Sequence, residues 1–177
     1  MMQEFRVGHG QDAHRLVAGR QLVIGGVPVE SQRGADAHSD GDVLLHALAD
    51  ALLSAYALGD IGRLFPPSDA RFAGMDSRDI VAQVLEKLRV HTPGVRVVNV
   101  AAVVTLDTPK LGAARDAMST VIAELLELQA DSVGITFKTS EGLAPDHVQA
   151  SVVLGLLQAE LTLYESAPRT ANGFAAH

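Results

Sequence analysis

The rhythm of apolar and polar positions changes several times along this chain, and each change marks an element. From Val43, the apolar residues Val43, Leu44, Leu45, Ala47, Leu48, Ala51, Leu52 and Ala55 recur at helical spacing and predict a helix with a wide apolar face. It starts near Asp42, a strong capping residue, and runs to Leu58 before Gly59. Asp76-Ser77 can cap a second helix through Ile80, Val81, Val84, Leu85 and Leu88, closed by Thr92-Pro93-Gly94. A third spans about residues 113–128. Residues 5–10 read as a first strand interrupted by glycines, and 21–29 as a hairpin turning at Gly25-Gly26. Residues 95–106 are the clearest strand, rich in β-branched side chains, and 133–139 form another. Residues 147–157 fit a strand or a helix, and Val148, Val152 and Val153 favour the strand. Loops fill 31–40 and 59–77. In the second, Gly59, Gly62, Pro66 and Pro67 argue against regular structure, while Phe65 and Phe72 argue that part of it packs down.

Strands and helices are interleaved without an internal repeat. That pattern predicts an α/β or α+β sandwich with helices packed on one face of a sheet, and α+β with a mixed β-sheet is the expectation carried forward. Residues 1–163 read as one domain and the small, polar residues 164–177 as a frayed tail. The strand over 95–106 is apolar on both faces, so partner subunits are expected to cover the side the helices leave bare.

Composition narrows the function. The 177 residues suffice for one substantial core. A net charge of −7 argues against sequence-independent binding to nucleic acid or to an anionic membrane. It does not argue against an anionic small molecule, because a bound metal can outweigh the global charge. The chain has no cysteine, which removes disulfides and thiolate zinc sites and suits a reducing cytoplasm. Its opening residues lack the apolar run of a signal peptide.

The candidate chemistry lies where the chain passes from polar loop to apolar helix. His38-Ser39-Asp40-Gly41-Asp42 places an imidazole and a hydroxyl beside a helix N-terminus, which favours anions. His46 lies one turn into that helix. Upstream, Asp12 and His14 are two apart, so an extended backbone points both to one side. One carboxylate and two imidazoles, with a fourth position for water or substrate, is the composition of a catalytic zinc site. Spacing alone does not single this reading out: Asp-x-His is a common triplet, and a helix histidine is more often a hydrogen-bonded structural residue. Asp42 reads as a cap, Asp50 as an exposed helix acid or a partner of His46, and His9, His91 and His177 as structural or solvated.

Taken together, Gly8-His9-Gly10-Gln11-Asp12-Ala13-His14, Ala37-His38-Ser39-Asp40-Gly41-Asp42 with His46, Leu58-Gly59-Asp60-Ile61-Gly62 with Phe65-Pro66, Pro109-Lys110 and Thr139-Ser140-Glu141 resemble the 2-C-methyl-D-erythritol 2,4-cyclodiphosphate synthase family. The likeness covers roughly residues 5–157. It implies a metal-dependent phosphorus–oxygen lyase of the non-mevalonate route to isoprenoid precursors. The family cyclises a cytidine diphosphate ester of methylerythritol 2-phosphate and releases CMP. The resemblance implies zinc on Asp12, His14 and His46, and a second divalent ion, Mg2+ or Mn2+, at Glu141. It casts His38 and Thr139 as transition-state stabilisers. Asp12, His14, His38 and Ser39 would meet the phosphates. Asp60, Ile61, Gly62, Phe65, Pro66, Pro67, Ser68 and Asp69 would hold the methylerythritol unit. Leu106, Asp107, Thr108, Pro109, Lys110, Leu111 and Gly112 would shape the cytosine pocket, with Lys138, Thr139, Ser140 and Glu141 on the phosphates. It further implies a cytoplasmic homotrimer with its sheets facing the threefold axis and active sites between subunits. Two rival readings use the same residues: a hydrolase working through zinc-bound hydroxide, and a metal-stabilised trimeric binding module without turnover.

Overall fold

The computed structural model describes residues 3–66 and 68–159. Its strands are β1 (Gln3–Ala18), β2 (Leu22–Ile24), β3 (Val27–Val29), β4 (Arg33–Ala35), β5 (Val95–Leu106), β6 (Val133–Lys138) and β7 (His147–Ala159). Its helices are α1 (Val43–Ser54), α2 (Ile61–Leu64), α3 (Ser77–His91) and α4 (Arg115–Leu126). Five strands form one mixed sheet in the order β4-β1-β7-β5-β6, antiparallel except for the parallel pair β5–β6. The strands β2 and β3 form a separate ribbon turning at Gly25 and Gly26, both with positive φ, as a tight hairpin requires. The mixed sheet with helices on one face matches the expected fold class, and residues 147–159 are a strand.

The core lies between the helices and the inner face of the sheet. Helix α1 is buried on nearly every side, from Val43 through Ala49 and again at Ala51, Leu52 and Leu53. It rests on β1 and β7, and Gly8 and Gly10 explain how closely. A Cβ at Gly8 would lie 1.9 Å from the Ala51 carbonyl oxygen, and one at Gly10 would lie 2.1 Å from that of Ala47. The helix backbone therefore sits directly on the strand backbone, which only glycine permits. The glycines that seemed to interrupt the first strand are its seat for α1, and the strand continues through Asp12 and His14 to Ala18.

The opposite face of the sheet carries no layer within the described residues. Phe5 (59% exposed), Val7 (58%), Val103 (40%) and Val153 (43%) project from it, more apolar surface than a monomeric sheet face usually leaves in water. In β5 the doubly apolar pattern is partly the product of an irregularity between Val97 and Asn99, which resets the alternation. Val98, Ala101 and Val103 are its apolar residues on the open side, beside Arg96 and Asn99.

Several boundaries differ from expectation. Helix α1 ends at Ser54, not Leu58, because Ala57 turns left-handed and the Leu58 N–H returns to the Leu53 carbonyl at 3.1 Å. Residues 59–77 are not free of regular structure: Asp60 caps α2 through the Arg63 N–H, and a 3-10 turn spans Ala70–Phe72. The loop over 31–40 contains β4, which pairs with the end of β1. The third helix begins with a 3-10 turn and ends at Leu126. The tail expected at 164–177 lies outside the described residues.

Candidate active site

Alternation along β1 turns Asp12 and His14 to the helix side, where α1 presents His46 one turn beyond its cap. The Asp12 Oδ2 lies 2.9 Å from the His14 Nε2 and 2.9 Å from the His46 Nδ1, and the two nitrogens are 3.3 Å apart. Around a tetrahedral zinc with bonds of about 2.0–2.1 Å, ligand atoms stand roughly 3.3 Å from one another. The triangle fits that geometry slightly contracted, and its carboxylate–imidazole–imidazole chemistry suits zinc. Burial by itself would raise the Asp12 carboxyl, but hydrogen bonds and charge from His14 and His46 outweigh it and hold the group well below the usual carboxylate range. Burial pulls His46 down, yet Asp12 prevails and its net shift is upward.

The loop before α1 is held from several sides. The His38 carbonyl accepts from the Gly74 N–H at 2.7 Å, and the Asp40 N–H donates to the Met75 carbonyl at 3.2 Å. The Asp40 carboxylate accepts from the Ser77 N–H at 3.0 Å and from the Ser77 hydroxyl, fastening the loop to the start of α3. Gly41 turns with φ +72°, where a Cβ would also lie 2.5 Å from the Ala35 Cβ. Asp42 is fully buried and does more than cap. Its carboxylate accepts from the N–H groups of Leu44, Leu45, Gly25 and Gly26 at 2.6–3.1 Å, joining α1 to the β2–β3 turn. Burial pushes this carboxyl up, and the backbone donors pull it partway back.

Asp12, His14, His38, Ser39 and His46 line one cavity of about 300 Å³ together with Ile61, Gly62, Phe65, Asp69 and Phe72. Phe65 and Phe72 meet edge to face with centroids 5.3 Å apart and form its apolar wall. Asp60, Pro66 and Ser68 are not among the lining residues: Asp60 serves α2, and Ser68 is exposed. Pro67 lies outside the described residues.

The second group of expected residues builds a different cavity, also about 310 Å³, lined by Leu106, Lys110, Leu111, Phe137, Lys138, Thr139 and Glu141. Asp107 organises it from behind. Its carboxylate accepts from the Ser140 N–H at 2.6 Å and the Ser140 hydroxyl at 2.8 Å, and these bonds lower its carboxyl below the usual range. The Thr139 hydroxyl donates to Glu141, whose backbone is left-handed at φ +56°. Thr108, Pro109 and Gly112 belong to the same loop but do not line the cavity. The two cavities share no residue. His14 and Leu106 pair with Val148 from opposite sides, so about two strand spacings, roughly 9.5 Å, lie between them within one chain. His38 and Thr139 accordingly sit in separate cavities.

Some supporting residues escaped the sequence reading. Asp50 is half-buried, not an exposed acid, and does not reach His46. It accepts from the Ile61 N–H at 2.8 Å, fixing the start of α2, and burial raises its carboxyl. Asp40, and Asp107 that the resemblance placed at the cytosine pocket, likewise accept from backbone N–H groups distant in sequence, which spacing cannot reveal. His9 contacts the Ser151 hydroxyl at 3.2 Å, and His91 packs edge-on to Tyr56. His177 lies outside the described residues.

This α+β fold recurs in known proteins. Residues 5–156 match the YgbB family. A 2-C-methyl-D-erythritol 2,4-cyclodiphosphate synthase of Thermus thermophilus is 52% identical over 149 residues, 84% of this chain and 97% of its own. That of Deinococcus radiodurans is 58% identical over 151 residues, 85% of this chain and 92% of its own. A solved structure of a 2C-methyl-D-erythritol-2,4-cyclodiphosphate synthase superposes with a TM-score of 0.81 at 50% identity, covering 85% of this chain and 99% of the other. A second, in a CDP-bound form, gives 0.80 at 48% identity over the same shares. The chain belongs to the YgbB family of 2-C-methyl-D-erythritol 2,4-cyclodiphosphate synthases.

Proposed function

We propose that this protein converts 4-diphosphocytidyl-2-C-methyl-D-erythritol 2-phosphate to 2-C-methyl-D-erythritol 2,4-cyclodiphosphate and CMP, a lyase-type step in isoprenoid precursor biosynthesis. The observation that carries the reading is the convergence of Asp12 Oδ2, His14 Nε2 and His46 Nδ1 within 3.3 Å at one cavity, in a chain about half identical to synthases of that name. An oxygen of the 2-phosphate attacks the β-phosphorus, the bond from that phosphorus to the bridging oxygen breaks, and the electron pair leaves with CMP. The nucleophile is already an anion, so the protein's work is positioning and charge neutralisation.

Asp12, His14 and His46 would hold zinc, which supplies Lewis-acid polarisation of the β-phosphate. Glu141 would help to hold Mg2+ or Mn2+ against the diphosphate. The cavity around Phe65 and Phe72 takes the methylerythritol unit, with Ile61, Gly62 and Asp69 against it, while Asp60, Pro66 and Ser68 support or flank that loop. Ser39 meets the attacking phosphate. His38 and Thr139 stabilise the charge that develops on the transferring group. Lys138, Ser140 and Glu141 stand at the phosphates, and the segment Leu106, Asp107, Thr108, Pro109, Lys110, Leu111 and Gly112 takes the cytosine.

The two separate cavities favour an assembly in which one chain's metal cavity faces another's cytidine cavity. The apolar open face of the sheet supports a homotrimer closed around it. No helix among the described residues is long and apolar enough to cross a membrane, and a cytoplasmic location accords with the small-molecule substrate and the absence of cysteine.

The shared site has a direct test. His14→Ala disables the metal cavity, and Thr139→Trp, at a residue that lines the second cavity, blocks the cytidine cavity. Each variant should be inactive alone, and mixed oligomers should regain CMP release because some interfaces pair two intact halves. No recovery after verified subunit exchange would place each site within one chain.

A further inference from the structure

We propose that Ser39 is a positioning residue for the metal centre: its hydroxyl accepts a hydrogen bond from His46 Nε2–H and so selects the tautomer that turns a bare Nδ1 to the metal. The inference rests on the metal reading of Asp12, His14 and His46 and extends it to a residue outside the ligand triangle.

The geometry is specific to one ring nitrogen. His46 Nδ1 faces Asp12 Oδ2 at 2.9 Å and His14 Nε2 at 3.3 Å, so it is the nitrogen aimed at the ion. The other nitrogen, Nε2, lies 3.1 Å from the Ser39 Oγ. A neutral imidazole carries one hydrogen, and a ring that coordinates through Nδ1 must carry it on Nε2. His46 is buried, with 6% of its surface exposed, so that N–H needs a protein acceptor. Ser39 is the partner the structure provides. The hydroxyl is itself fixed, since its oxygen also accepts from the Gly41 N–H at 3.2 Å. Gly41 is held left-handed against Ala35, and Asp40 is fastened to Ser77. With both acceptor positions of Oγ taken by N–H donors, the hydroxyl's own hydrogen is left to point elsewhere, and Ser39 lines the metal cavity. The same side chain can thus orient the ligand and donate to an anionic oxygen in that cavity.

Removing such an outer partner typically weakens metal affinity about 10–100-fold. The test compares wild type, Ser39→Ala, Ser39→Thr and His46→Ala at one pH. Zinc affinity is read by competition with a chromophoric chelator, and the His46 ring nitrogen that carries hydrogen by nitrogen-15 NMR of the zinc-loaded protein. We expect Ser39→Ala to bind zinc about 10–100-fold more weakly, Ser39→Thr to recover most of the loss, and wild-type His46 to carry its hydrogen on Nε2. Thermal melts confirm that each variant is folded; should Ser39→Ala fail to fold, the threonine variant and the wild-type tautomer still carry the test. Zinc binding by Ser39→Ala as tight as wild type, or a wild-type His46 protonated on Nδ1, would overturn the proposal while leaving the ligand triangle intact. Equal zinc binding by wild type and His46→Ala would instead overturn the metal reading, and this proposal with it.

Discussion

Gly10→Ala is a small substitution with a calculable effect on the metal centre. The new Cβ would lie 2.1 Å from the Ala47 carbonyl oxygen, 2.6 Å from the Ala51 nitrogen and 3.0 Å from the Asp50 Cβ, whereas ordinary contact begins at 3.4 Å. Two of these neighbours are backbone atoms of α1, so no side chain can rotate away. The helix and strand must separate by about 1 Å, an overpacking cost of roughly 1–3 kcal/mol, or about 2–12 °C in melting temperature for a domain of this size. Ala47 follows His46, so the same displacement draws His46 Nδ1 away from the Asp12 Oδ2 that it meets at 2.9 Å. A misplacement of about 1 Å can cost on the order of 100-fold in rate. The assay pairs thermal melts with zinc competition and CMP release. Gly134→Ala serves as the control, because a Cβ there meets only the Val100 carbonyl oxygen at 3.8 Å. Unchanged zinc affinity and CMP release in a folded Gly10→Ala protein would refute the claim that backbone contact between α1 and β1 sets the metal geometry.

Asp42→Ala should lower stability by about 2–4 kcal/mol, because it removes a helix cap and strands the Gly25 and Gly26 N–H groups; denaturant unfolding measures it, and a loss below about 1 kcal/mol would show that the carboxylate is dispensable. Asp107→Ala frees Ser140 from the loop that carries Lys110, and should weaken CDP binding by calorimetry while zinc affinity stays unchanged. In the metal-free protein, Asp12 is depressed below 3.8 and His46 raised above 6.5. The Asp12 contribution is therefore present above about pH 4 and lost as pH falls through the folded value, whereas the His46 contribution is complete below about pH 6.5 and lost as pH rises through its folded value. Asp12→Asn should consequently be most destabilising between these limits, and an equal deficit from about pH 3 to 9 would contradict that assignment.

Two local rules placed the candidate metal ligands, alternation setting Asp12 and His14 on one side of a strand and the apolar pattern setting His46 one turn inside a helix, but it was the family resemblance that singled them out. Their meeting was not legible, since it depends on Gly8 and Gly10 admitting the α1 backbone, and a glycine's sequence position does not name the neighbour it admits. The short elements β4 and α2 were missed for a related reason. Three or four residues carry no periodicity, and both are fixed by distant partners, β4 by the end of β1 and α2 by Asp50. Asp40 read as a turn residue and Asp107 as part of the cytosine pocket, and neither reading showed that both accept backbone N–H groups far along the chain. The bare sheet face was anticipated from β5, although Phe5 and Val7 of β1, with Val153 of β7, carry more of it.

Phosphorus NMR of the wild-type protein with 4-diphosphocytidyl-2-C-methyl-D-erythritol 2-phosphate, zinc and magnesium tests the central claim most directly. The account predicts CMP and a cyclic diphosphate appearing in equal amounts, without free phosphate, and neither product with His46→Ala. Inorganic phosphate in place of the cyclic product would identify a zinc hydrolase, and bound substrate without turnover would identify a binding module; either result would contradict it.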